Sequence, residues 1–373
     1  MLIRQSFLED DVCEATKKRI SWIFDEFENI VVSVSGGKDS TVLCHMCLQE
    51  ARKRGRRIGI FFLDEEVVYQ STIDQIRYLM DLYPENTIKM WYQIEFNLTN
   101  ATSKNETQLK CWEAGKHKIW MRHKEPDSVK FPSWDVATQT VRNKDKGFGF
   151  YDALDNYQAA HPNTAFLIGL RAFESLNRWR AVTKNPSYKN CYWATKKPHN
   201  SYNFYPLYDW NFPDIWKYLH ENNVRYSKIY DYQYKKGLAM RDMRVSSLVH
   251  EKAFKSLVEL PEFEPKTYDK LMKRIEGIQM GHLYGKDDKM LRCRKLPKNF
   301  KTWMEYRDFL LETLDDERQK AIFTKRFSKH YNNNYVARQQ CRQLLLNDYE
   351  NNLIIENKPD PREERLNYWM SVL

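Results

Sequence analysis

The segment Ile30-Val31-Val32-Ser33-Val34-Ser35-Gly36-Gly37-Lys38-Asp39-Ser40 passes from a β-branched apolar run into a polar turn with two adjacent glycines. The apolar run is typical of a buried parallel strand. From Thr41 onward, apolar residues recur at helical spacing. A glycine turn between a strand and a helix exposes the first N–H groups of the helix, where the helix dipole favours negative charge. The segment therefore predicts a phosphate-binding loop.

Five residues of this loop suit an anion, although an ordinary glycine-rich turn is the alternative. Gly36 and Gly37 let the backbone turn sharply and approach a ligand closely. Ser35 and Ser40 offer hydroxyl hydrogen bonds, and Lys38 adds a full positive charge. The spacing is not that of a Walker A loop, because G-x-x-x-x-G-K-[ST] is absent.

Carboxylates near the loop have two readings. Asp39 either orients the loop or holds a Mg²⁺ ion that bridges phosphates. Asp64, Glu65 and Glu66 follow the second apolar run, at the carboxyl end of a predicted strand, where ligands bind such sheets. Alternatively, these carboxylates form a loop that nearby lysines satisfy.

Strand and helix patterns alternate along the first two thirds of the chain. Predicted strands are 30–34, 58–63, 88–94 and 165–170, and predicted helices are 6–28, from 41, 73–83, 151–157 and 215–219. This order predicts an α/β fold: a doubly wound, mostly parallel sheet with helices on both faces. Ligands bind such sheets at the carboxyl ends of strands, near a topological switch point.

The predicted organisation is an α/β nucleotide-binding domain at 1–240 and a mainly helical region at 241–373. The part at 95–149 is polar, basic and aromatic without clear periodicity, and we interpret it as an insertion or lid over the sheet. In the helical region, helices are predicted at 245–278, 299–328 and 335–356.

Charge and composition restrict the class of protein. Lys and Arg number 60 against 50 Asp and Glu, a net charge of +10 over 373 residues. This excess suits a polyanionic partner, and solubility alone explains it equally well. No apolar run approaches the ~18 residues of a membrane span. Without a signal peptide, we expect a cytoplasmic protein with no membrane partner and reduced thiols.

The loop sequence S-G-G-x-D-S at 35–40 resembles the signature of the PP-loop ATP pyrophosphatase superfamily. The resemblance implies the adenine nucleotide alpha hydrolase-like fold, with ATP and Mg²⁺ as ligands. It also implies that the edge after the second strand holds the nucleoside, where Leu63 backbone groups pair with the adenine edge and Asp64 binds ribose or metal. Residues 169–178 are similar to the second signature of its phosphoadenosine phosphosulfate (PAPS) reductase branch. The segment 205–216 resembles a third, mostly structural segment, in which Asp214 caps a helix and Trp210 and Trp216 lie in the core.

Within 169–178, four residues are nucleotide-binding candidates. Gly169 ends a strand, and Arg171 projects from its carboxyl end toward phosphates, where a guanidinium makes paired hydrogen bonds. Glu174 anchors Arg171 or another basic group. Arg178 lies about two helical turns further on, and a solvated, charged helix start is the alternative for this segment.

The part after residue 240 resembles the carboxyl-terminal region of IbrA-like proteins of bacteria, phages and mobile elements, at 243–248, 262–268 and 274–278. This resemblance implies a partner with a ParB/sulfiredoxin fold, IbrB. True PAPS reductases use a carboxyl-terminal Cys beside Gly, and no Cys follows Cys341 here. We therefore expect no reductase activity. Clustered cysteines are absent, so neither an iron–sulfur cluster nor structural zinc is expected, and Cys44 and Cys47 are interpreted as buried helical thiols.

Cleavage of ATP between the α and β phosphates is the predicted reaction, yielding pyrophosphate with AMP or an adenylated acceptor. Lys38, Asp39 and Arg171 are the catalytic candidates. One alternative is a nucleotide-sensing regulatory subunit, and another is an enzyme of nucleic-acid modification or phage defence. Basic, aromatic stretches at 171–197 and 286–301 suit a nucleic-acid strand or a solvated face equally well. Homo-oligomers are also compatible with the sequence.

Overall fold

A computed structural model of the chain describes residues 9–103, 106–144, 147–183, 187–240, 243–250, 257–275, 295–314, 316–349, 351 and 353–372. The predicted basic stretch at 286–301 therefore lies outside the described residues up to 294, as does Cys293. Two compact units are present. The first contains residues 1–96, 122–144 and 148–245, and the second contains 97–121, 145–147 and 246–373.

The first unit is built on a mostly parallel sheet, as the sequence predicts. The described strands of the whole chain are β1 (Asn29–Ser33), β2 (Ile58–Leu63), β3 (Thr87–Tyr92), β4 (Phe96–Thr99), β5 (Gln108–Cys111), β6 (Thr164–Ile168), β7 (Ala194–Lys197) and β8 (Ser201–Phe204). Of these, β4 and β5 form a separate two-stranded sheet. The other six form one sheet in the order β3-β2-β1-β6-β8-β7. Only β7 runs antiparallel, beside β8. Along the chain, β2 and β3 add to one side of β1, and the later strands β6, β8 and β7 add to the other side. The topological switch point therefore lies between β1 and β6.

Helices cover both faces of this sheet. They are α1 (Val12–Glu26), α2 (Lys38–Lys53), α3 (Gln70–Asp81), α4 (Phe150–Ala160), α5 (Leu176–Ala181), α6 (Phe212–Glu221) and α7 (Ile229–Lys235). Val32 and Ile60 join the core beneath α1, α2 and α3. Phe61 and Phe166 face the other way and pack on Tyr157 of α4. Alternate side chains of buried strands thus feed two apolar layers, which explains why the strand sequences read as continuous apolar runs.

Two features near α6 agree with the sequence. Asn211 N–H donates to the Asp214 carboxylate (2.7 Å), so Asp214 caps the helix as expected. Trp210 is buried and its indole N–H donates to Thr16 Oγ1 (2.8 Å), which fixes α1 beside α6.

The sequence did not predict the β7–β8 hairpin. Each strand has four residues of mixed polarity, which is too short for a strand period to stand out.

The insertion differs from the single lid predicted at 95–149. Residues 97–121 and 145–147 group with the second unit, and 122–144 stay with the first. Backbone pairing explains the division, because Ala101 N–H donates to Val249 C=O (2.9 Å) and the buried amide of Asn347 donates to Asn100 C=O (2.8 Å). Buried backbone groups need partners, and here the carboxyl-terminal residues supply them.

The second unit is mainly helical, as predicted. Its helices are α8 (Leu260–Phe263), α9 (Pro265–Arg274), α10 (Trp303–Glu312), α11 (Glu317–Phe327), α12 (Asn334–Leu345) and α13 (Pro361–Val372). Phe323, Val336 and Cys341 are fully buried in its apolar core. Among the helices that the structure describes, none has the length and apolar character that a membrane crossing requires.

Candidate functional site

The loop after β1 adopts a conformation that only glycine fits. Gly36 has φ +71°, and a Cβ there would lie 2.7 Å from Thr72 Cγ2 and 3.1 Å from the Thr72 carbonyl oxygen. Both the left-handed backbone and the close approach of α3 therefore exclude a side chain. Gly37 is extended (φ −78°, ψ 160°) and forms the N-cap of α2 without a side-chain hydrogen bond. The sequence-predicted loop thus opens directly onto the helix N-terminus.

The two serines brace the loop from inside. Ser40 Oγ donates to Gly37 C=O (3.0 Å) and accepts from Ser35 N–H (3.2 Å). The two hydroxyl oxygens are also 3.2 Å apart. The Ser40 hydroxyl donates its one hydrogen to the loop backbone, so Ser40 stabilises the turn.

Lys38 begins α2 with both its amide and its ammonium buried in the site. Its N–H donates to the Tyr230 hydroxyl (2.9 Å), and its Nζ lies 3.1 Å from Asp39 Oδ2. Burial lowers the pKa of the Lys38 ammonium, and the Arg171 and Arg244 cations lower it further, while Asp39 opposes both. An anion arriving here would relieve the repulsion among these cations.

Gly169 brings β6 against the first turn of α2. A Cβ at Gly169 would lie 3.0 Å from both Asp39 C and Ser40 N. This contact places Arg171 beside Asp39, with Arg171 Nε donating to Asp39 Oδ1 (2.5 Å). The sequence predicts that Gly169 and Arg171 belong to the site, and in the structure both residues contact the first turn of α2 at the switch point.

Glu174 holds the Arg171 guanidinium from its other side. Arg171 Nη2 donates to Glu174 Oε1 (3.0 Å), and Arg178 pairs with the other oxygen of the same carboxylate. The anchoring role expected for Glu174 is confirmed. Arg171 is buried, whereas Arg178 is exposed, so Arg171 is a fixed cation and Arg178 lies at the solvent side.

Asp39 bridges two cations, which differs from the magnesium role that the sequence suggested. One carboxylate oxygen accepts from Arg171 and the other from Lys38. Within the described parts of the chain, no group of three or more His, Cys, Asp or Glu side chains could hold a metal ion. Asp39 fixes the two cations relative to each other, and a Mg²⁺ ion held together with ligand phosphates stays a prediction.

Leu63 lies where β2 extends past the end of β1. Val34 N–H donates to Phe61 C=O (2.9 Å) on the β1 side, and Asp64 N–H donates to Tyr92 C=O (2.9 Å) on the β3 side. Because backbone polar groups of successive strand residues alternate in direction, those of Leu63 face the β1 side, beyond its last pair. That direction suits the predicted contact with a base edge.

Asp64 has a different role from the predicted ribose or metal ligand. It is fully buried, and its carboxylate accepts from Trp91 Nε1 (2.8 Å), Gln93 Nε2 (2.9 Å), Glu66 N–H (2.9 Å) and the Arg122 guanidinium. Arg122 Nη1 also donates to Glu66 C=O (2.7 Å), where Glu66 has φ +62°. Asp64 therefore connects the ends of β2 and β3 to Arg122 in the insertion. These hydrogen bonds already occupy both carboxylate oxygens, so Asp64 has a structural role.

Sequence reasoning did not select Tyr230 or Arg244 as site residues. Tyr230 is buried on α7, 192 residues from Lys38 in sequence. Burial raises the pKa of its hydroxyl, which keeps the proton at neutral pH. A tyrosine in an aromatic segment gives no local sign of such a contact, and only the path of α7 brings it to the loop.

The basic stretch at 171–197 is divided in the structure. Arg171 and Arg178 belong to the site, while Lys189 pairs with Glu26 (2.5 Å) and Lys197 with Asp155 (3.0 Å). Its cations therefore do not all lie on one face, and nucleic-acid binding stays a prediction. As expected, Cys44 and Cys47 are buried in α2, where burial raises the pKa of both thiols.

Two protein-family models match successive parts of the chain. A family model described as "Phosphoadenosine phosphosulfate reductase domain" matches residues 29–236, more than half of the chain. The chain belongs to this family. A second model, described as "Domain of unknown function (DUF3440)", matches residues 237–350. The family assignment confirms the predicted PAPS reductase-like fold, whereas the IbrA-like assignment stays a prediction.

Individual relatives agree with the family. The chain is 28% identical over 315 residues to "Uncharacterized protein YbdN" of Escherichia coli K12, covering 82% of this chain and 76% of the relative. It is 22% identical to adenosine 5'-phosphosulfate reductase of Oceanobacillus iheyensis, covering 62% of this chain and 78% of the relative.

Two solved structures are similar to the chain at low identity. The first is a PAPS reductase from Candida auris in a phosphate complex, at 15% identity and a TM-score of 0.35, covering 61% of this chain and 93% of that chain. The second is a Candida glabrata FMN adenylyltransferase with FAD and inorganic pyrophosphate, at 16% identity and a TM-score of 0.34, covering 61% of this chain and 64% of that chain. The strand order described above, rather than these scores, defines the fold of this protein.

Proposed function

We propose that this protein binds ATP at the loop 35–40 and cleaves it between the α and β phosphates, releasing pyrophosphate. One observation carries the proposal: Asp39 joins the buried cations Lys38 and Arg171 at the N-terminus of α2, at the switch point between β1 and β6. The helix dipole and two fixed cations then act on one anionic ligand, while the Lys38 N–H already donates to the Tyr230 hydroxyl.

In the proposed reaction, an oxygen nucleophile from water or an acceptor attacks the α-phosphorus. The bond from that phosphorus to the bridging oxygen breaks, and pyrophosphate leaves with the electron pair. The nucleophile's proton passes to solvent. Lys38 and Arg171 stabilise the charge that builds on the leaving group, and their bonds to Asp39 hold them in place before the ligand arrives. Positioning and charge stabilisation supply most of what this reaction needs.

The described thiols support adenylate chemistry over sulfonucleotide reduction. A reductase nucleophile must be an accessible thiolate. Cys44, Cys47 and Cys111 are fully buried, and burial raises the pKa of Cys191 to about 11. Cys13 is partly exposed, but burial raises the pKa of its thiol too, which favours the protonated form. Cys341 is buried in the apolar core of the helical unit.

A pyrophosphate-release assay with magnesium-ATP tests the proposal, run with and without DNA and an IbrB-like partner. Wild-type protein should release pyrophosphate with AMP or an adenylated acceptor, and Lys38→Ala should abolish the release. Arg52→Gln is a matched control, because Arg52 stacks on Tyr83 (4.3 Å) at the far end of α2. Tight ATP binding without turnover under every condition would instead favour the nucleotide-sensing subunit, and sulfite production with thioredoxin would restore the reductase.

A further inference from the structure

One turn of α7 contacts both the nucleotide loop and a later segment of the chain. Tyr230 and Gln233 lie three residues apart, so their side chains are neighbours on the helix. The Tyr230 hydroxyl accepts from Lys38 N–H (2.9 Å). The Gln233 amide pairs with the backbone of Arg244: Nε2 donates to Arg244 C=O (2.9 Å), and Oε1 accepts from Arg244 N–H (3.0 Å).

This double hydrogen bond fixes the position of Arg244. Gln233 is buried, so its amide is itself held in one orientation. The Arg244 side chain is exposed, which leaves it able to meet a ligand from solvent. The backbone of Arg244 is thus anchored about one helical turn from Tyr230, which contacts the start of α2. Because this backbone is already ordered, ligand binding would cost only the conformational entropy of the Arg244 side chain.

Charge places Arg244 in the same cluster as the loop cations. Burial has the largest effect on the pKa of Lys38 and lowers it, and the Arg244 guanidinium lowers it further. The Arg244 guanidinium also lowers the pKa of the Tyr230 hydroxyl, and Arg171 acts in the same direction on both groups. Arg171 and Arg178 are paired with Asp39 and Glu174. Lys38, Arg171 and Arg178 outnumber the two carboxylates that they contact, Asp39 and Glu174. These described side chains therefore suit an anionic ligand better than a neutral one.

We propose that Arg244 is a phosphate-binding residue of the nucleotide site, held there by Gln233, and that it contacts the two phosphates that leave as pyrophosphate. The inference rests on the proposed function and adds a residue to it. Arg244 lies beyond the match to the reductase domain, which ends at residue 236. The region matched by the domain of unknown function therefore supplies a ligand contact to the site.

Calorimetric titration with inorganic pyrophosphate, ATP and adenosine tests this role in the full-length chain. Arg244→Gln should raise the Kd for pyrophosphate and ATP about tenfold or more, the ratio for loss of one hydrogen bond to a charged group. The Kd for adenosine should stay within about twofold. Arg244→Lys should give an intermediate value, because it keeps the charge without the planar fork.

Two further variants separate a direct contact from a general charge effect. Arg52→Gln removes the same charge about 20 Å away along α2, beyond the Debye length of ~10 Å, and should leave all three Kd values unchanged. Gln233→Ala should reproduce the loss for pyrophosphate but not for adenosine, since Gln233 is a positioning residue.

The outcomes distinguish this inference from the proposed function. Unchanged pyrophosphate affinity in Arg244→Gln, with binding lost in Lys38→Ala, overturns the role of Arg244 and leaves the proposed function standing. Equal losses for adenosine and pyrophosphate in Arg244→Gln also overturn it, because they indicate a structural effect. If the wild-type protein binds neither ATP nor pyrophosphate, the proposed function fails and Arg244 with it.

Discussion

Replacement of Gly169 by alanine tests how the site is assembled. The added Cβ would lie 3.0 Å from Asp39 C and Ser40 N, and 3.1 Å from Asp39 O. These atoms are all backbone, so no side chain can rotate away. Ordinary contact begins near 3.4 Å, which requires β6 and α2 to separate by about 0.4 Å. Overpacking of this kind costs about 1–3 kcal/mol.

The same movement displaces Arg171 from Asp39, and errors of ångström size in catalytic groups cost up to about 100-fold in rate. Urea denaturation should therefore show a free energy of unfolding lowered by about 1–3 kcal/mol, and pyrophosphate release should fall about tenfold or more. Gly115→Ala is the control, because nothing lies within 4 Å of its added Cβ. If Gly169→Ala matches that control in both stability and activity, the close approach of β6 to α2 does not hold the site together.

Four other substitutions and modifications have definite expected outcomes. Arg171→Lys keeps a charge but lacks the planar guanidinium that reaches Asp39 through Nε and Glu174 through Nη2, so pyrophosphate release should fall about tenfold; wild-type rates would contradict its catalytic role. Tyr230→Phe removes the acceptor of a helix N–H and should lower the free energy of unfolding by about 1 kcal/mol in urea, and no change would mean that water replaces the hydroxyl. Asp64→Asn should cost about 3 kcal/mol by the same measurement, because it removes the carboxylate charge that the buried Arg122 guanidinium contacts; a smaller loss than for Tyr230→Phe would contradict the anchoring role. Iodoacetamide at pH 8 should leave Cys44 and Cys47 unmodified in folded protein, because burial raises their pKa, and mass spectrometry should find both labelled only in denaturant.

Asp39 shows how the loop tolerates buried positive charge. Lys38 and Arg171 would repel each other in the apolar surroundings of α2. The carboxylate between them offsets that repulsion in the free protein and fixes their spacing. A bound polyphosphate would add a second anionic partner to the same pair, so the charges are arranged before the ligand arrives and need little reorganisation.

Local sequence predicted the features that depend on neighbours in the chain. The loop 35–40, the parallel strands and the helical second unit follow from glycine placement and apolar periodicity, which act over a few residues. Gly169 and Arg171 are also assigned to the site from sequence, through the resemblance of 169–178 to the second PAPS reductase signature, and the known direction of a strand's carboxyl end agrees with that assignment. Strand ends shifted by up to two residues, because pairing rather than propensity sets them.

Contacts between distant segments were decided only by the tertiary structure. Whether Asp64 faced a ligand or four protein donors depended on where Trp91, Gln93 and Arg122 arrive. The insertion divided between two units because its backbone found partners near residue 249 and at 347. Tyr230 meets the loop because α7 lies against the first residue of α2, and the same helix holds the backbone of Arg244 through Gln233. Sequence pattern carries the local geometry of one segment, whereas the partners of a buried polar group are set by the packing of the whole chain.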